Sequence, residues 1–105
     1  MTTILDKFRL DGKVAVVTGG AGLLGKQFCL TLAQAGAHVL VADLNGKVAE
    51  ETATSIAAAG YSASPVQVNV TDKDSTQAMA DAAVRQFGRL DVLVCSAAMD
   101  PKFDP

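Results

Sequence analysis

The sequence has no tryptophan, one tyrosine and one histidine in 105 residues. It has two cysteines, Cys29 and Cys95, far apart along the chain. No His/Cys spacing suits zinc, so no metal site is expected. The thiols read instead as free, buried, small hydrophobes. Positive charge is scarce as well. Nine Lys and Arg are scattered against eleven acidic residues, giving a net charge of −2. That excludes the basic stripe of a nucleic-acid binder. Long apolar runs are missing. Uncharged ones such as "VLVCSAAM" (92–99) fall far short of a membrane span. The opening "MTTILDKFRLDGK" carries too many charges for a signal peptide. No membrane is expected as a partner, and the cytoplasm is the expected location.

What is present alternates. "VAVVT" (14–18) is short, apolar and β-branched, and glycine follows it, so it reads as a buried strand. Leu24, Phe28, Leu32 and Ala35 recur at helical spacing and predict one apolar helix face. Gly36 should end that helix. "HVLVAD" (38–43) reads as a second strand. A second helix is expected over 46–59, with Val48, Thr52, Ile56 and Ala59 inward and Gly60 as its stop. "PVQVNV" (65–70) is the third strand. Thr71 is the expected N-cap of a third helix, which places Met79, Ala83 and Phe87 on one face and ends at Gly88. "LDVLVCSA" (90–97) is the fourth strand. Strand and helix alternation implies an α/β fold with a parallel sheet and three crossover helices. Right-handed crossovers give 3-2-1-4 as its simplest order. Residues 1–105 read as a single domain.

Four glycines fall within Gly19–Gly25, between the first strand and the first helix. Glycine there lets the backbone turn sharply, and the free N–H groups of a helix start then face an anion. Two phosphate sites compete. Gly20, Gly25 and Lys26 fit G-x-x-x-x-G-K, the loop of a phosphotransferase. The hydroxyl residue that should follow for magnesium is absent, because Gln27 stands there. Gly19, Gly22 and Gly25 instead fit a dinucleotide turn, and Asp43 follows at the second strand's end. A carboxylate there can accept from adenine ribose hydroxyls. It would repel a 2′-phosphate, and no Lys or Arg lies within 19–25 to offset it. The pattern favours NAD over NADP.

On these residues the chain resembles the short-chain dehydrogenase/reductase family. "DGKVAVVTGGAGLLG" is similar to that family's first strand and cofactor turn, and "VADLN" to its second strand end. "VNVTDKDS" is similar to its third strand end, and "LDVLVCSAA" to its Asn-Asn-Ala-Gly segment. The resemblance runs from Phe8 onward. It implies a Rossmann-like sheet and cofactor contacts from Thr18, Gly19, Gly22, Leu23, Leu24, Gly25, Asp43, Leu44, Asn69, Val70, Ser96, Ala97 and Ala98. Asn69 stands where the family commonly has Asp to meet the adenine. Its amide oxygen can accept from the adenine amino group. Cys95 and Ser96 replace two asparagines, and Ala98 replaces a glycine.

The family's catalysis rests on a Ser and on a Tyr with a Lys four residues later. Tyr61 has Pro65 at that offset, and Ser96 belongs to the cofactor segment. No catalytic residue is therefore assigned. The chain reads as an incomplete NAD-binding domain, truncated after the fourth strand. In complete form it would move a hydride between NAD and a small alcohol or carbonyl compound. The alternatives are a non-catalytic nucleotide-binding module or remnant, and less readily the P-loop phosphotransferase. An apolar fourth strand at a sheet edge predicts self-association, to a homo-oligomer or less ordered assembly.

Overall fold

The computed structural model describes residues 9–96. Seven elements alternate along it: β1 (Val14–Thr18), α1 (Leu23–Gln34), β2 (His38–Asp43), α2 (Gly46–Ala58), β3 (Ala63–Gln67), α3 (Lys73–Phe87) and β4 (Val92–Cys95). Every strand pairing is parallel, in the order β3-β2-β1-β4. A helix stands between successive strands, as parallel pairing requires. The first two crossovers step one way across the sheet, and the third steps back past β1. With one handedness throughout, α3 must land on the opposite face. It does. Ala15, Val17, Val39 and Val41 pack with α1 and α2, whereas Val14, Val16, Leu40 and Ala42 pack with Met79 and Ala83 of α3.

All five residues of β1 are buried, because strands flank it and helices cover both faces. On β4, Val92 and Val94 are half-buried against the α1–α2 side, while Leu93 and Cys95 are exposed. Cys95 therefore departs from the expected burial. Only Cys29 behaves as a core thiol, and burial pushes it up to about 11.

The faces of α1 and α2 match expectation only in part, with Thr52 and Ile56 inward as expected. On α1 the buried residues are Gly25, Cys29 and Ala33, and both Leu24 and Phe28 are exposed. On α2 they are Ala49, Thr52, Ala53 and Ile56; Val48 is half-buried and Ala59 exposed. Small side chains sit directly over the sheet, since they let helix and strands approach closely. On α1 the larger ones flank that line, whereas on α2 Ile56 lies buried within it. Met79 and Ala83 are buried on α3 as expected, with Phe87 half-buried.

Boundaries also shift, and β4 takes up only Val92–Cys95 of the expected 90–97. β3 spans Ala63–Gln67, and Pro65 lies inside it, opposite Val41. An edge strand tolerates the missing N–H. The cap of α3 is Asp72, not Thr71: its side chain accepts from the N–H groups of Asp74 at 2.9 Å and Ser75 at 3.4 Å. Thr71 turns back to Asn69 instead.

Candidate cofactor site

The ends of β1, β2 and β3 meet along one rim of the sheet, and most of the residues expected to bind a cofactor gather there. Thr18 is buried at the end of β1. Gly19 then takes φ +68°, a conformation that a β-branched residue strongly resists. The turn is pinned to β2, because the Gly20 N–H donates to the Ala42 carbonyl at 2.9 Å. The Gly22 N–H closes back on the Gly19 carbonyl at 3.0 Å. Gly25 lies one helical turn on, against the same carbonyl. A Cβ there would sit 2.0 Å from the Gly19 oxygen, so no side chain fits. The dinucleotide spacing leaves out Gly20, which entered only the phosphotransferase pattern, yet a Cβ on it would meet the Val17 carbonyl oxygen at 2.9 Å. Its signal was the Gly19–Gly20 doublet.

α1 begins at this turn with Gly22 as a cap that has no side chain to bond. No acidic residue occupies its first turn. The N–H groups of Leu23, Leu24 and Gly25 have no carbonyl behind them in the helix, as at any helix start. Their partial positive charge is thus left for a ligand anion. Lys26 and Gln27 do not serve that purpose. Both line the groove between α1 and α2, together with Val48, Glu51 and Thr52. The lysine of the alternative phosphotransferase loop therefore borders that groove.

Asp43 closes the rim beside the turn. One carboxylate oxygen accepts from the Ala21 N–H at 3.1 Å and the other from the Asn45 N–H at 3.0 Å. Each oxygen keeps a second lone pair for an outside donor. The Asp43 carbonyl accepts from the Val68 N–H at 2.9 Å, which carries the rim onward to Asn69 and Val70. Leu44 and Val70 are 64% and 45% exposed, large apolar side chains left in water beside Asp43 and Asn69. Leu23 and Leu24 are exposed at the helix start as well. On the other flank, Ser96 folds onto the end of β1. Its N–H and Oγ both donate to the Thr18 carbonyl, at 3.1 and 2.5 Å. Ala97 and Ala98 lie outside the described residues.

These groups fit a dinucleotide. The helix start offers donors for a pyrophosphate, Asp43 offers acceptors for ribose hydroxyls, and Leu44 and Val70 offer apolar surface for a base. Among the described residues no His/Cys/Asp/Glu cluster could hold a metal ion, and no helix is long and apolar enough to cross a membrane.

The opposite rim holds the lone histidine. His38 opens β2, its Nδ1 paired with the Ser62 hydroxyl and its Nε2 with the Ser64 hydroxyl at 3.1 Å. The ring packs on Phe87, 4.2 Å between centroids. Burial lowers the His38 pKa. Tyr61 lies on the loop before β3, also at this end and 38% exposed. Neither residue can reach the cofactor rim to move a proton there.

Comparison with known proteins agrees with this arrangement. A family model described as short chain dehydrogenase matches residues 13–104. A short chain dehydrogenase/reductase of Aspergillus oryzae, astE, is 42% identical over the whole chain, which spans 41% of that relative. The 7alpha-hydroxysteroid dehydrogenase of Escherichia coli K12 is 37% identical over 88% of the chain and 36% of its own length. Among solved structures, a hydroxysteroid dehydrogenase from Escherichia coli superposes with a TM-score of 0.86 at 36% identity, over 90% of this chain and 40% of that one. A short-chain type dehydrogenase/reductase from Mycobacterium marinum gives 0.88 at 36% identity, over 93% and 40%. The chain thus spans about two fifths of the relatives it matches. A parallel sheet in this order, a glycine turn feeding its first helix and a family match across nearly its whole length place the chain in the short-chain dehydrogenase family.

Proposed function

We propose that residues 1–105 form one incomplete NAD-binding domain of a short-chain oxidoreductase. The whole protein would move a hydride between NAD and a small alcohol or carbonyl substrate. The observation that carries this reading is the position of Asp43. Its carboxylate lies against the glycine turn, hydrogen-bonded to the Ala21 N–H. A ribose held there meets acceptors, whereas a 2′-phosphate meets a negative charge at close range.

The chain's own residues would divide the work of binding. Gly19, Gly22 and Gly25 shape the turn, and the N–H groups at Leu23 and Leu24 face the pyrophosphate. Asp43 orients the adenine ribose. Leu44, Asn69 and Val70 flank the base. Thr18 and Ser96 hold the end of β1 where the cofactor would cross it, with Ala97 and Ala98 following. The bound cofactor supplies or accepts the hydride. Nothing in 1–105 offers a Tyr-x-x-x-Lys pair for the accompanying proton, so this chain alone would not turn over. Its location would be the cytoplasm. Leu93 and Cys95 on β4 are exposed, which favours self-association through that edge.

Ligand-induced thermal shifts with NADH, NADPH and ATP–magnesium test the reading. NADH should give the largest shift. A larger shift with NADPH would remove the role of Asp43, and one with ATP–magnesium would remove the dinucleotide site.

A further inference from the structure

Asn69 is fixed from two sides. Its backbone N–H donates to the Ser75 hydroxyl at 2.9 Å. Its Oδ1 accepts from the Thr71 N–H at 3.0 Å and from the Thr71 hydroxyl at 2.6 Å. The first of these settles which way the amide faces. A backbone N–H can only donate, so the side-chain atom opposite it must be the oxygen. That oxygen has two lone pairs, and Thr71 fills both. The acceptor role expected of the amide oxygen toward an adenine amino group is therefore already taken. The group left free is Nδ2, which only donates.

Asn69 is exposed on the cofactor rim, between buried Val68 and exposed Val70. An aspartate held by Thr71 in the same way would turn an acceptor outward, complementary to a 6-amino group. Asn69 turns a donor outward, complementary to a ring nitrogen or a 6-oxo group. We propose that Asn69, oriented by Thr71, relaxes the base selectivity of this site, so that it takes a 6-oxopurine dinucleotide as readily as an adenine dinucleotide. The inference rests on the dinucleotide reading above and concerns only the base edge.

Calorimetry on the full chain tests it, with NADH and reduced nicotinamide hypoxanthine dinucleotide as the two probes. The unmodified chain should bind them within about threefold of one another, the span of one exposed neutral hydrogen bond. Asn69→Asp should favour NADH by about tenfold or more, since a carboxylate accepting from the amino group makes a charge-assisted bond. Circular dichroism and Tm of the variant confirm that it remains folded. A tenfold preference for NADH in the unmodified chain overturns the proposal. So does an equal ratio in the two proteins, and either result leaves the dinucleotide site standing. A folded chain that binds neither probe removes the dinucleotide reading and this proposal with it.

Discussion

The two rims of the sheet treat their polar groups in opposite ways. At the rim where strands begin, polar groups are paired with each other. Asp91 accepts from the Val14 N–H at 2.8 Å and holds Arg89 by two bonds. Val14 is thereby tied to the approach to β4. His38 spends both ring nitrogens on Ser62 and Ser64. At the rim where strands end, donors of the α1 first turn stay open, Asp43 keeps spare acceptor capacity, and leucines and a valine face water. Groups that bond one another hold a fold together. Groups held in place but left partly unsatisfied can bind something else.

Changes at the open rim should break this contrast most strongly. Gly25→Val drives a side chain into the Gly19 carbonyl, where even a Cβ would stand at 2.0 Å. We expect NADH binding to vanish and stability to fall by at least about 2 kcal/mol in a urea titration. Asp43→Ala should keep the fold and weaken NADH binding by about 1.5–3 kcal/mol in calorimetry, the worth of charge-assisted bonds. Asp72→Ala removes the cap of α3 and should cost about 1 kcal/mol of stability without changing NADH affinity. That variant separates holding α3 from binding ligand.

The smallest effects belong to the paired rim and are read through pH. The Arg89 guanidinium, with the Val14 N–H, holds the Asp91 carboxyl below its ordinary value. Its stabilising contribution is present above the ordinary carboxylate pKa of about 3.8 and is lost as pH falls through the lower folded value. Asp91→Asn should flatten that part of the acid unfolding curve. For His38 the shift is also downward, caused by burial. Its neutral form is favoured in the fold, so stability is complete above about 6.5 and declines as pH falls through the lower folded pKa. His38→Gln should remove that slope and leave the acid limb of Asp91.

The number of strands and the sheet order were legible in the sequence, because short β-branched runs alternating with helical spacing have few other readings, although β3 begins two residues earlier than its apolar run suggested. The glycine turn and Asp43 were legible for the same reason, as their spacing follows from strand and helix geometry. The helix faces were less so. Large apolar residues such as Leu24 and Phe28 looked like core, but close packing over the sheet selects Gly25, Cys29, Ala33, Ala49 and Ala53. Small side chains carry little hydrophobic signal. Cys95 looked buried by composition, whereas its burial depends on what covers the outer side of β4. The hold of Thr71 on Asn69 was hidden by another competition. Thr71 and Asp72 are adjacent cap-forming residues, and only the backbone decides which one caps α3.

The contrast between rims is tested most directly by backbone amide NMR of the full chain titrated with NADH. Shifts should concentrate at Gly19–Gly25, Asp43, Leu44, Asn69 and Val70, with His38, Ser62, Ser64 and Asp91 unmoved. Shifts centred on His38 and its serines, or on the groove of Lys26, Val48 and Glu51, would contradict that contrast.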